Sequence, residues 1–581
     1  QQHPSELLAG GYGEARSFYA SDAFCVEGNA GKEYRTIHLG LDVWLPAGTA
    51  IHTPLDGTIV GLQNNHHKRD YGPTVIVQHP YSTQSGDQYF YTLYGHLSSK
   101  TLELHQLGDE VKASQLLAWV GENHENGGWN PHLHFQIMHD LLNHQGDFPG
   151  ACTPNDWPVM QSICPDPQKL FGYPKLEKEE INNQQLIKFR QQHLGKSLSL
   201  SYSEPIQMLR GDDVYLVDQM GQKYLDTCNN VAHVGHEHPE VVAAGQSQMA
   251  VLNTNSRYLH PAIVQFTDAL LTTLPKELSV VHLVNSGSEA NELALRMAKA
   301  WSGSKEVIAL ESGYHGNSNA CIDISSYKFD GNGGQGAPEH THIVPLPDAF
   351  RGIHQGNHCG IEYAEYIDQA IEKIANSNRT LSAFIAESIV SCGGQIELPP
   401  GYLSHVYQSV RKAGGLCIAD EVQVGCGRIG SHFWAFEPHG VVPDILTIGK
   451  PIGNGHPLAV VVCTRAVADR FANGMEYFNT FGGNPVAAAI GLSVLSVIKE
   501  QKLQTNALNI GNRLKAGLQQ LLQQFPIIKD VRGHGLFLGF DLCDVDLQPL
   551  AEQASYFADR MREFCILFST VGPDHNVFKI K

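Results

Sequence analysis

The rhythm of apolar and polar positions changes once along this chain, close to residue 176. Upstream, short runs such as "TVIVQH" and "YFYTLYGHL" alternate with a period of two and are separated by Gly, Pro and Asn turns. Alternation of that kind puts successive side chains on opposite faces, so this part is predicted to be all β. The stretch "KLEKEEINNQQLIKFRQQHLGKS" is polar and helix-prone, and reads as a linker running into a helix. Beyond residue 200 or so, apolar strands alternate with long amphipathic helices: "VVHLVNSG" then "SEANELALRMAKAW", and "LSAFIAESIV" then "YLSHVYQSVRKAG" then "LCIADEV". That order predicts a mainly parallel sheet covered by helices on both faces. The junction is expected within 174–184, dividing the chain into an all-β domain, 1–176, and an α/β domain, 177–581.

Size agrees with that division, since 581 residues exceed what one hydrophobic core usually covers. The 59 acidic and 40 basic side chains give a net charge of -19, a field that repels phosphate backbones. No nucleic-acid partner is therefore expected, although a local pocket can still take a small anion. No run reaches the roughly 18 apolar residues that a membrane span needs, so no membrane partner is expected either. The first twenty residues lack the basic start and apolar stretch of a signal peptide. The chain opens without Met and stops at "VFKIK", as a piece of a longer sequence would. Twelve cysteines lie scattered in apolar contexts without a CxxC pair, which fits a reducing compartment; the cytoplasm is the expected location.

In the β part, "HLGLD" (His38, Asp42), "YGHL" (His96) and "HLH" (His132, His134) carry metal-type side chains. Histidines two apart on a strand share a face, so His132 and His134 can serve one site. Hydrolytic zinc takes three N/O ligands and leaves a position for water. The succession HxxxD, "PAGTAIHTPLDGTIV", "YGHL", "GDEVKASQLLAWVG", "HLHF" resembles the LytM and lysostaphin-like zinc endopeptidases over roughly 36–138. The resemblance implies His38, Asp42 and His134 as zinc ligands, with His96 and His132 flanking the catalytic water. That family usually cuts cell-wall cross-bridges outside the cytoplasm, so the likeness speaks for the fold more than for the substrate.

In the α/β part, "DILTIGKPIGNGHP" brings Lys450 out of an apolar run into permissive backbone, and "GLCIADEVQVGCGRIG" ends a run in Asp420. A carboxylate at the end of a buried strand needs a partner. "NSGSEANELALRMA" sets Asn285, Ser286, Gly287 and Ser288 at a strand-to-helix junction, where free N–H groups and the helix dipole favour an anion. "YHG" (Tyr314, His315, Gly316) supplies an aromatic plate, and "FNTFGGNP" puts Thr480 beside glycines. Together these are the parts that pyridoxal phosphate requires.

Their order resembles the class III, ornithine-type aminotransferases over about 184–581, and implies the type I fold of pyridoxal-dependent transferases. By that resemblance Lys450 is the Schiff-base lysine and Asp420 pairs with the ring nitrogen. Gln423 takes the ring hydroxyl, Val422 and Tyr314 pack on the two ring faces, and Gly287 and Ser288 hold the phosphate, with His315 beside them. Thr480 reaches the phosphate of the neighbouring subunit, which implies a homodimer with the cofactor at its interface.

The strings "NNVAHVGHEHP", "LNTNSRYLH", "AESIVSCGGQI", "DEVQVGCGRIG" and "GKPIGNGHP" resemble one branch more closely, the ethanolamine-phosphate and phosphohydroxylysine phospho-lyases. Ornithine-type enzymes carry an acidic gate and a carboxylate-binding arginine where this chain has Cys392 and Lys579. The expected activity is therefore elimination of phosphate from a small phosphorylated amine, with Arg257 of "NTNSRYLH" as the cation for the leaving phosphate. Two alternatives stand beside it: a class III aminotransferase using a 2-oxo acid, and a cell-wall zinc endopeptidase with a passenger second domain.

Overall fold

The computed structural model describes residues 9–16, 19, 21–28, 31–83, 86–168, 182–356 and 358–581. The chain forms two compact units, Gln1–Arg210 with Leu216–Tyr224, and Gly211–Tyr215 with Leu225–Lys581. The junction expected at 176/177 lies outside the described residues.

The first unit is built on an antiparallel sheet. Its strands are β1 (Ala9–Gly10), β2 (Ile37–His38, paired separately), β3 (Leu41–Val43), β4 (Gly57–Asn65), β5 (Gly72–Thr83), β6 (Gly86–Gly95), β7 (Glu110–Val111) and β8 (Leu133–Met138). The sheet order is β1-β3-β8-β6-β5-β4-β7. Alternation sorts the side chains as the pattern predicts. Val75, Val77, Tyr94, Phe135 and Ile137 enter one core, while Ile76, Leu93 and Met138 enter the other. The helix-prone segment forms α1 (Asn183–His193), opened by a reciprocal cap between Asn182 and Gln185 and burying none of its residues.

The second unit centres on a seven-stranded sheet. Its elements are β9 (Leu278–Val284), α2 (Gly287–Ser302), β10 (Glu306–Leu310), β11 (Thr341–Val344), α3 (Gly360–Asn376), β12 (Leu381–Glu387), α4 (Tyr402–Lys412), β13 (Leu416–Asp420), β14 (Ile445–Ile448), β15 (Ala459–Thr464) and α5 (Pro485–Glu500). The order is β9-β15-β14-β13-β12-β10-β11, with β15 opposed in direction to the rest. Ile418 and Val461 pack on one face with Leu293 and Met297 of α2, whereas Ala419, Val460 and Val462 pack on the other with Val494 of α5. A fully buried aliphatic side chain contributes about 1.5–3 kcal/mol, so these uninterrupted runs hold the sheet rigid beneath its loops. Further on, β16 (Ile528–His534), β17 (Phe537–Leu542), β18 (Ser569–Val571) and β19 (Val577–Ile580) form a smaller antiparallel sheet ordered β16-β17-β19-β18. No described helix is long and apolar enough to cross a membrane.

Candidate functional site

Open parallel sheets present their ligand sites at the carboxyl ends of the strands. Here β9, β12, β13 and β14 deliver Asn285, Glu387, Asp420 and Lys450 to one edge, around a cavity of about 540 Å³. Lys450 follows β14 with φ +29° in a turn of Lys450–Gly453, a backbone region that side chains rarely adopt. Among the described residues its side chain makes no hydrogen bond or ion pair, and it lines the cavity.

Asp420 is fixed on three sides. Its Oδ2 accepts from Asn291 Nδ2 and His315 Nδ1, each at 2.8 Å, and its Oδ1 accepts from the Val422 N–H at 3.0 Å. Asn291 is itself held by Thr447 at 2.8 Å. The other nitrogen of His315, Nε2, is buried without a partner. Gln423 sits beside them with Oε1 within 3.0 Å of Ser391 Oγ and also in contact with Lys581 Nζ.

The phosphate-type cradle starts at α2. Ser286 caps the helix, its Oγ accepting from the Glu289 N–H, and the first N–H groups, at Gly287 and Ser288, have no intrahelical acceptor. Two glycines are required for steric reasons. A Cβ on Gly287 would lie 2.7 Å from Val422, and one on Gly316, at φ +135°, would lie 2.6 Å from Ser288 Oγ. Tyr314 lines the same cavity, and burial raises its phenol.

The structure thus brings Gly287, Ser288, Tyr314, His315, Asp420, Val422, Gln423 and Lys450 together. It does not bring Thr480 or Arg257 to the cavity within one chain. Thr480 is exposed. Arg257 pairs with Glu476 at 3.0 Å and lies over the Phe478 ring at 4.0 Å. The sequence reading missed Asn291, Glu387 and His456, which also line the cavity. Asn291 had a signal, being a polar residue on the apolar stripe of "SEANELALRMA".

The first unit holds a second constellation. His38 Nε2, His134 Nδ1 and Asp42 Oδ1 converge at 3.0, 2.9 and 3.2 Å from one another, all buried. Tetrahedral zinc with bonds of roughly 2.0–2.1 Å separates its ligands by a little over 3 Å, so the trio fits such an ion. The remaining atoms are committed elsewhere, as metal ligands require. His38 Nδ1 reaches the Gly11 carbonyl at 3.1 Å, His134 Nε2 reaches Gln136 Oε1 at 3.0 Å, and Asp42 Oδ2 accepts from Arg16 Nη1 at 2.6 Å. Burial pushes His38 down to about 4, leaving a neutral imidazole with a lone pair to give. Gly40 permits the packing, because a Cβ there would lie 2.5 Å from the His134 ring.

His96 and His132 stand next to the trio with ring centroids 4.2 Å apart. Burial lowers both, so neither is charged at neutral pH. His96 Nδ1 is engaged by the Asn126 carbonyl at 3.0 Å and His132 Nδ1 by the Asn130 carbonyl at 2.6 Å, which leaves each Nε2 for chemistry. A groove of about 440 Å³ opens over His38, His96 and His134.

Comparison with known proteins follows the same division. Residues 36–146 match the model of Peptidase family M23, and residues 199–580 match Aminotransferase class-III. The chain is 46% identical over 413 residues to alanine–glyoxylate aminotransferase 2-like of Drosophila melanogaster, covering 69% of this chain and 84% of that one. It is 36% identical over 421 residues to ethanolamine-phosphate phospho-lyase homolog 1 of Caenorhabditis elegans, covering 70% and 90%. Among solved structures, a phospholyase from Arthrobacter in complex with phosphoethanolamine aligns with a TM-score of 0.65 at 36% identity, covering 68% of this chain and 94% of that one. Matches of this extent settle the family: the chain belongs to the class-III aminotransferases, pyridoxal-phosphate-dependent enzymes, and carries a peptidase family M23 region ahead of that part.

Proposed function

We propose that this protein is a pyridoxal-phosphate-dependent phospho-lyase that converts O-phosphoethanolamine, or a related phosphorylated amine, and water into an aldehyde, ammonia and phosphate. The observation that carries the reading is a departure at two sequence positions. Cys392 and Lys579 replace the acid and the arginine that a two-substrate aminotransferase would use, leaving cations for a phosphate and no planar fork for a carboxylate. The phospholyase and phospho-lyase relatives support it.

Lys450 would hold the cofactor covalently, Asp420 its ring nitrogen, Gln423 its ring hydroxyl, and Gly287 and Ser288 its phosphate, with Val422 and Tyr314 on the ring faces. When bound, the cofactor supplies an electron sink for the amine-bearing carbon. The Nζ of Lys450 would then serve as the base that takes the proton from that carbon. Asn291 and His315 keep Asp420 aimed at the ring throughout. The phosphate leaves from the adjacent carbon toward a cation, and water completes the products.

The decisive experiment gives the purified protein O-phosphoethanolamine and no oxo acid. Phosphate, ammonia and acetaldehyde should appear over many turnovers. Arrest after one cycle, relieved by a 2-oxo acid, would establish an aminotransferase instead.

For assembly, we propose a homodimer. Leu259, Val264 and Phe481 are 103%, 67% and 71% exposed around Arg257 and Thr480, a density of apolar side chains that marks interaction surfaces. Sedimentation of the holoenzyme tests it.

For the first unit, we propose a zinc ion on His38, Asp42 and His134 that activates water for peptide hydrolysis, with the Nε2 atoms of His96 and His132 handling protons and the developing oxyanion. The convergence of three buried donors supports it. Metal analysis after zinc supplementation should find one ion per chain, lost in His134→Ala.

A further inference from the structure

The loop between β4 and β5 carries His66, His67, Lys68 and Arg69 in succession, a basic cluster in a chain of net charge -19. Its backbone is pinned from a second loop. The Arg69 N–H donates to the Gly127 carbonyl at 2.8 Å, and the Trp129 indole N–H donates to the Asp70 carbonyl at 3.2 Å. Arg69 then reaches across to the facing wall, where its Nη1 donates to Ser21 Oγ at 2.9 Å. That wall is Phe24, stacked on Tyr19 at 4.2 Å, with the Arg35 guanidinium over its ring at 5.8 Å. The backbone N–H of Arg35 donates to the Phe24 carbonyl at 2.9 Å, which fixes the two residues together.

Arg35, His67, Lys68 and Arg69 all line the groove that opens over His38, His96 and His134. Asp70 and Asp147 share that lining, and neither neutralises it. Asp70 accepts from the Tyr71 N–H at 2.8 Å, and Asp147 Oδ1 lies 3.3 Å from both His144 Nδ1 and the Gln145 N–H. Among the described residues, Arg35, Lys68 and Arg69 have no carboxylate within ion-pair distance. Arg35 Nε is also buried without a hydrogen-bond partner, a state that costs free energy until an acceptor fills it. In an acidic chain, these cations give the groove a field opposite to that of the whole surface. The ring walls of Tyr19, Phe24 and Trp129 are of low dielectric and concentrate it.

We propose that this groove takes an acidic peptide, with Arg35, Lys68 and Arg69 holding a carboxylate of the chain that lies over the His38–Asp42–His134 trio. The inference rests on the zinc-hydrolase reading of the first unit and names the class of peptide that unit would accept. A neutral, glycine-like peptide gains nothing from these cations, and a basic one is repelled. The carboxylate can belong to an acidic side chain or to a free C-terminus, since both offer two oxygens to guanidinium and ammonium donors.

The test is calorimetric titration of blocked pentapeptides into the zinc-supplemented intact chain. The peptides are acetyl-Gly-Gly-X-Gly-Gly-amide with Glu, Gln or Lys at X, and acetyl-pentaglycine with a free C-terminus. At low salt the Glu peptide or the free C-terminus should bind about three- to tenfold more tightly than the Gln peptide. Which of the two shows the preference identifies the source of the carboxylate, and added salt should shrink it. Joint Lys68→Gln and Arg69→Gln should abolish the preference. Joint Lys68→Glu and Arg69→Glu should turn it toward the Lys peptide, an inversion that misfolding cannot produce. Equal binding of all four peptides by wild type overturns the proposal, as does no binding at all. So does a preference that survives both joint variants, which would place the carboxylate on the metal. Cleavage of the same peptides, followed by chromatography, separates the two readings. A cation-dependent preference with no peptide cut removes the hydrolase and leaves the acidic-peptide groove. Equal cleavage of the Gln, Glu and free-terminus peptides removes the proposal and leaves the hydrolase.

Discussion

Glu387 and Asp420 are register partners at the ends of adjacent parallel strands, and each meets the cavity in a different state of commitment. Asp420 accepts three hydrogen bonds, two at Oδ2 and one at Oδ1, whereas Glu387 accepts from the Ser391 N–H through Oε2 and leaves Oε1 buried and unpaired. With Glu387 pushed up to about 7 from an ordinary 4.5, the folded state holds a proton that the unfolded chain has released. Stability of this unit should therefore fall as pH rises through that window and level off above it. Glu387→Gln removes the dependence. Its stability relative to wild type should improve between pH 5 and pH 8, by up to about 1.4 kcal/mol for each unit of the window. Calorimetry of the cofactor-free protein at the two pH values measures it.

Gly316→Ala should release cofactor. The new Cβ would press on Ser288 at the start of α2, in a backbone conformation that alanine resists. Strain of roughly 1–3 kcal/mol corresponds to about five- to a hundredfold weaker retention, read by equilibrium dialysis. The same strain acts on the apo protein, whose melting temperature should fall as well.

Gln136→Leu is expected to weaken zinc binding about ten- to a hundredfold without touching a ligand. Gln136 fixes the His134 ring through Nε2, so that Nδ1 points at Asp42 and His38. Competition with a chelator whose affinity is known gives the shift. An unchanged affinity would show that the ring is oriented by packing alone.

Arg16→Met leaves Asp42 as a buried carboxylate without its cation, a change that typically costs about 3–5 kcal/mol. A bound divalent ion supplies charge from the other side of the same carboxylate. The loss in melting temperature should therefore be large in the metal-free protein and should shrink when zinc is added. A loss of equal size in both states would mean that Arg16 acts through Tyr19, whose hydroxyl it also meets at 2.8 Å.

Much of this was legible along the chain because the signals are local. Val75 and Val77 alternate with Ile76 in the sequence and separate into two cores in the fold. Asp420 and Lys450 announce themselves as polar residues directly after buried runs, where a strand must end at an edge. Asn291 was only half legible. Its place on the apolar stripe is visible, but its partners Thr447 and Asp420 come from strands well over a hundred residues away. The ionisation of Glu387 was not legible, since burial and a neighbouring carboxylate set it. Arg257 shows the converse limit: the motif around it says nothing of Glu476 and Phe478, which engage it within the chain.

The matched peptidase region begins at residue 36, yet His38 takes its tautomer from the carbonyl of Gly11, Asp42 pairs across β1 with Gly10, and its second oxygen belongs to Arg16. An expression boundary drawn where similarity starts would cut through this outer layer. The trimmed product would keep all three proposed zinc ligands and still be expected to bind metal poorly: the imidazole of His38 could turn, and Asp42 would face solvent. A screen of that fragment for hydrolytic activity would leave the intact site untested. A fragment meant to report on this groove has to start upstream of Ala9.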